Sequence, residues 1–76
     1  MTPQTIMVAI QCVSQEIHVL AGRLEAGTVD DPAETEQLLV SYDLALEDLK
    51  HAYLVAQGKY GGLPPFEQLI QGRDET

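Results

Sequence analysis

The residues with the clearest chemical potential are a carboxylate and an imidazole one helical turn apart. Glu47 and His51 are separated by four positions, and Asp48 lies three positions before His51. On a helix these side chains share a face, and such pairs can hold a metal ion when a second helix supplies further ligands. His18 is the only other histidine, so the ligand set falls short of a recognised centre. We therefore predict no metal and no cofactor.

The remaining candidates for catalysis are also weak. Cys12 is the only cysteine, and no Lys, Arg or His lies one helical turn away to activate its thiol. A small apolar role is the default for such a residue. The pair Gly61-Gly62 lacks the Lys-Ser/Thr that follows a phosphate-binding loop. We predict that the chain is not an enzyme, because a two-helix scaffold encloses no pocket.

The charge balance restricts the partners that the chain can bind. Twelve acidic and four basic residues give a formal charge of −8. This charge excludes direct nucleic-acid binding and disfavours an anionic membrane surface. It fits either simple solubility or a partner with a basic surface, with a nucleic-acid mimic as the extreme case. No basic leader and no apolar run approaching about 18 residues is present, so we expect a cytoplasmic protein with a reduced thiol.

The positions of the helices follow from caps and apolar spacing. A first helix is predicted over 2–26, with Thr2 as N-cap and Gly27 as the terminating glycine. Its apolar residues recur at alternating spacings of four and three, which predicts a continuous seam. The seam consists of Ile6, Ile10, Val13, Ile17, Leu20 and Leu24.

A second helix is predicted over 32–57. Asp31 can cap it, and Glu34 occupies the capping-box position three residues later. We expect it to end at Gly58 or at the pair Gly61-Gly62. Its broad apolar face comprises Leu38, Leu39, Tyr42, Ala45, Leu46, Leu49, Ala52, Tyr53 and Ala56.

The C-terminal tail changes character after two glycines and two prolines. We predict a short helical turn within 64–71, with Phe66, Leu69 and Ile70 on one side. This turn either covers one end of the two helices or docks on a partner. Residues 72–76 are expected to fray.

The predicted fold is all-α: one domain, 1–76, in which an antiparallel two-helix hairpin is followed by a short C-terminal helical turn. The connection between the helices is short, which forces them to lie antiparallel. Both helices also carry a second apolar stripe that a lone hairpin cannot cover. We therefore predict that two hairpins pair as a homodimer in a four-helix bundle, with a larger oligomer and the packing direction left open.

The function that fits this pattern is a non-enzymatic protein–protein interaction module, a small acidic adaptor or inhibitor that binds and modulates a protein partner. The alternatives are an acidic nucleic-acid mimic that occupies a basic site on its target, and a small metal- or ligand-binding helical bundle. In general pattern the chain resembles small bacterial or phage-encoded adaptor and inhibitor proteins. The predicted interface residues are Val8, Cys12, Val19, Val40, Leu44, Leu54, Val55, Tyr60 and Phe66.

Overall fold

A computed structural model describes residues 1–71 and places most of them in three helices. Helix α1 spans Pro3–Ala26, α2 spans Pro32–Lys59 and α3 spans Phe66–Gln71. The predicted all-α class is confirmed, and so are the two long helices and the short third one. The segment 72–76, predicted to fray, lies outside the described residues.

The helix boundaries are set by the capping residues that the sequence indicated. Thr2 Oγ1 accepts a hydrogen bond from the Thr5 N–H at 3.2 Å, which satisfies one of the free donors at the start of α1. Asp31 Oδ1 does the same for the Glu34 N–H at 3.2 Å. At the other end of α1, Gly27 has a φ of 72°, in the left-handed region that side chains rarely adopt.

We expect Gly27→Ala to lower the free energy of unfolding by about 1 kcal/mol, because an L-alanine is strained at this φ. Gly58→Ala is the matched control. It lies inside α2, where alanine is favoured over glycine by about 0.5 kcal/mol or more. A Cβ at either position meets nothing within 4 Å, so the backbone alone decides the sign. Urea unfolding of both variants measures the difference, and a shift of the same sign for both would contradict the assigned backbone conformations.

Helix α2 continues past Gly58, where the sequence offered one of its possible ends. It runs to Lys59, and the extended Tyr60 caps it with an N–H that donates to the Ala56 carbonyl at 2.8 Å. A glycine inside a helix costs only about 1 kcal/mol, so a single glycine does not by itself stop a helix. The left-handed conformation occurs later, at Gly62, whose φ is 84°.

The buried core shows that the two long helices are antiparallel. Ile6 and Ile10, near the start of α1, lie in one cluster with Tyr53 and Ala56, near the end of α2. Phe66 of α3 belongs to the same cluster. Ile10 and Tyr53 have no exposed side-chain surface, so this open end of the hairpin is its most tightly packed part.

The tail is fastened to α2 by polar contacts as well as by burial. The Tyr53 hydroxyl and the Gln57 Nε2 both donate to the Pro64 carbonyl, the latter at 3.1 Å. Burial raises the pKa of the Tyr53 hydroxyl above its ordinary value of 10.0, so the group stays protonated and keeps donating. The Lys50 amine lies 5.3 Å from the centroid of the Phe66 ring, within cation–π range. The segment therefore packs on its own hairpin.

The molecule is thin in one direction. Its extents along the principal axes are 44 × 28 × 14 Å. Stable domains usually bury their apolar faces between two or more layers. Leu38, which the sequence placed on the broad apolar face of α2, is 44% exposed, because α3 packs at the opposite end of the hairpin. Val13 and Leu24 of the α1 seam are also only half-buried.

One helix in residues 1–71 meets the length and composition expected of a membrane span. The most apolar 18-residue window of α1 has a mean hydropathy of 1.2. A core helix of a soluble protein passes the same test. Within the window 22% of the residues are buried, and the others are half-buried or exposed. The chain itself therefore covers this helix only in part.

Candidate interaction surfaces

The outward side of α2 carries four of the predicted interface residues, and all of them are exposed. Leu44 is 65% exposed, Val40 and Val55 are 59% exposed, and Leu54 is 49% exposed. Spacings of three, four and seven place them on one helical face with several polar residues. We call this face the α2 strip. It consists of Glu36, Val40, Asp43, Leu44, Glu47, Asp48, His51, Leu54 and Val55.

The α2 strip is acidic in its first two thirds. All of its carboxylates are exposed, and it contains no lysine or arginine. Of the two lysines on α2, Lys50 lies over the Phe66 ring and Lys59 is in the last turn. The apolar side chains are thus interleaved with uncompensated negative charge.

The arrangement does not build a metal site within the described part of the chain. Glu47, Asp48 and His51 are all exposed to solvent. In residues 1–71, no group of three His, Cys, Asp or Glu side chains is close enough to hold a metal ion.

The outward side of α1 is different in kind, because it is almost free of charge. Val8 and Cys12 are exposed and Val19 is half-buried. These three residues form what we call the α1 stripe. Between Pro3 and Gly22, Glu16 is the only side chain with a formal charge. A second neutral surface can cover this stripe without bringing like charges together.

Two further predicted interface residues lie on the tail, and the structure separates them. Tyr60 is exposed, as a contact residue would be. Phe66 is buried against Ile6, Ile10 and Tyr53, so it is withdrawn from the predicted interface. The physical reason is that the turn around Pro64 directs α3 back over the hairpin, where its aromatic ring fills the core.

Sequence reasoning missed one buried polar residue, Ser14. It continues the spacing of Ile6 and Ile10 by a further turn, and it is buried where α3 meets α1. A shallow groove between these helices is lined mainly by polar side chains from both. They are Gln11, Ser14, Gln15, His18, Gln68, Leu69 and Ile70. A serine on an apolar face gives no signal of its own in the sequence, since it reads as an interruption of the seam.

Comparison with known proteins identifies the family of the chain. The family model described as "T6SS, Immune protein Tsi2-like" matches residues 1–69. The chain is 54% identical over 69 residues to the immune protein Tsi2 of Pseudomonas aeruginosa, covering 91% of this chain and 90% of that protein. The match extends over all of α1 and α2 and reaches into α3. The chain therefore belongs to the Tsi2-like family of immune proteins of the type VI secretion system (T6SS).

Proposed function

We propose that this chain protects its bacterium by binding a toxin of the type VI secretion system and blocking that toxin's action. It acts as a stoichiometric inhibitor, without catalysis, and works through its exposed helical faces. The observation that supports this most directly is the family match over residues 1–69, since that family is described as one of immune proteins. The exposed apolar residues of α1 and α2 supply the surface that such a protein needs.

The test is protection of growth. Each type VI effector of the host bacterium is expressed in a sensitive strain with the chain or with an empty vector. We expect the chain to restore growth against one effector and to co-purify with it at a fixed ratio. If the chain is folded by circular dichroism and abundant, yet restores growth against none of them, the proposed function is wrong.

We also propose that the working form is a homodimer, held together mainly by α1. The support is physical: the molecule is only 14 Å thick along its shortest axis, and most residues in the apolar window of α1 are half-buried or exposed. Two α1 stripes can approach without repulsion, because Glu16 is the only charged side chain from Pro3 to Gly22. Pairing in this way would give each hairpin the second layer of a four-helix bundle.

A nucleic-acid mimic remains a second candidate mode for the same function. The charge of −8 and the exposed carboxylates of α2 favour it. The exposed apolar residues between those carboxylates weigh against it, since a surface that imitates a phosphate backbone would not carry apolar side chains such as Val40 and Leu44. The two modes differ in their response to salt, because pairing of exposed charges is screened while apolar contact is not. We also propose a cytoplasmic location, because Cys12 is a free thiol and thiols stay reduced in the cytoplasm.

A further inference from the structure

We infer that the α2 strip is the toxin-docking surface, and that it recognises a basic amphipathic helix on the toxin. This inference rests on the proposed function and assigns it to one face of the molecule. The other outward face, the α1 stripe, is nearly uncharged and suits a second copy of this chain. The two faces therefore differ in charge, and we assign them to different partners.

The α2 strip carries four exposed apolar side chains. Val40 and Leu44 form one exposed pair on the strip, and Leu54 and Val55 form another. Leu44 and Leu54 are ten positions apart, a distance of about 15 Å along a helix. Apolar anchors repeating over such a length are what a helix laid along another helix requires. While they are exposed to water, these four side chains add no apolar burial to the stability of the hairpin.

Carboxylates lie among those apolar anchors on the α2 strip. Glu36, Asp43, Glu47 and Asp48 are exposed, and the strip holds no lysine or arginine to neutralise them. A partner that covers the apolar residues must remove these carboxylates partly from water. Burial of an unpaired charge is costly, so a fitting partner supplies cations opposite them.

A second copy of the chain is a poor occupant of the α2 strip. A second α2 strip laid on the first would double the number of carboxylates and add no lysine or arginine. Juxtaposed like charges penalise a wrong partner. The partner that fits has apolar side chains about 15 Å apart, with Lys or Arg between them.

The test uses the toxin that the wild-type chain neutralises in the growth assay. Asp43→Lys combined with Glu47→Lys reverses the charge of the strip, and we expect the dissociation constant to rise by about 100-fold. The matched control is Glu25→Lys combined with Asp30→Lys, which makes the same change in net charge at exposed positions near the turn. We expect it to change affinity by less than about threefold at physiological salt, where distant charges are screened.

A third variant, Leu44→Glu, separates a mixed surface from a purely electrostatic one. It keeps the strip acidic and removes an apolar anchor, so we expect it to weaken binding by about 30-fold or more. Unchanged or tighter binding by this variant would mean electrostatic mimicry and would overturn the inference. So would a change in the mass of the toxin-free protein on reversal of Asp43 and Glu47, because a second copy would then occupy the strip.

The two failures can be told apart. Absence of protection by the wild-type chain overturns the proposed function and this inference with it. Protection by the wild type, with undiminished binding after the reversal of Asp43 and Glu47, overturns the docking surface alone. In that case the chain is still an immune protein, and its toxin contacts another face.

Discussion

Replacing Phe66 with alanine is expected to lower the free energy of unfolding by about 3–5 kcal/mol, the usual cost of emptying a buried aromatic site. The ring is in the same cluster as Ile6, Ile10 and Tyr53, two of which have no exposed surface. Small domains have a total stability near the lower end of about 5–15 kcal/mol, so much of the population would unfold at moderate temperature. Urea unfolding followed by circular dichroism, at one protein concentration, measures the loss.

The control for Phe66→Ala is Leu44→Ala, which also removes a large apolar side chain. Leu44 is 65% exposed and lies outside the buried core cluster, so we expect a change within about 0.5 kcal/mol. A loss below about 1 kcal/mol for Phe66→Ala would mean that α3 does not complete the core in solution. The tail would then be free to act as a docking segment, the alternative that the sequence left open.

Placing charges on the α1 stripe is expected to dissociate the homodimer that we propose. Val8→Glu combined with Cys12→Glu should raise the dimer dissociation constant by about 100-fold or more, because carboxylates would be buried against their copies. Both positions are exposed in the single chain, and Glu is a better helix former than Val or Cys. The monomer should therefore remain helical. Sedimentation equilibrium measures the shift.

The matched control places the same charges on the other helix. Val40→Glu combined with Leu44→Glu adds two carboxylates to the α2 strip, which we assign to the toxin. We expect its mass to stay that of the wild-type protein while its affinity for the toxin falls. The opposite pattern, with the α1 variant unaffected and the α2 variant monomeric, would exchange the roles of the two faces.

The sequence was sufficient for the parts of the fold that local chemistry decides. Thr2, Asp31 and Gly27 cap or end the helices because their side chains or backbones offer what a helix terminus lacks. The end of α2 was predicted at Gly58 or at Gly61-Gly62, and the helix runs to Lys59, because a single glycine is only a weak local signal. The exposure of Leu38 was missed because helical spacing defines a face but not how far the opposing helix covers it.

The interaction surfaces were harder to predict, because they depend on residues far apart in the chain and on another protein. The exposure of Val40, Leu44 and Val55 followed from their place opposite the main face of α2. The burial of Phe66 did not, since a tail with two prolines can pack on its own chain or on a partner. No pattern within one chain encodes the toxin; the family match supplied that part of the account.

We propose that the three helices of one chain cannot bury enough of their apolar surface unless a second copy of the chain covers it. Sedimentation equilibrium of the wild-type chain, without toxin, over a wide range of concentrations tests it most directly. We predict a mass twice that of the 8.3 kDa chain, and a melting temperature that rises with protein concentration. A stable, cooperatively folding species of single-chain mass at every concentration would contradict the claim.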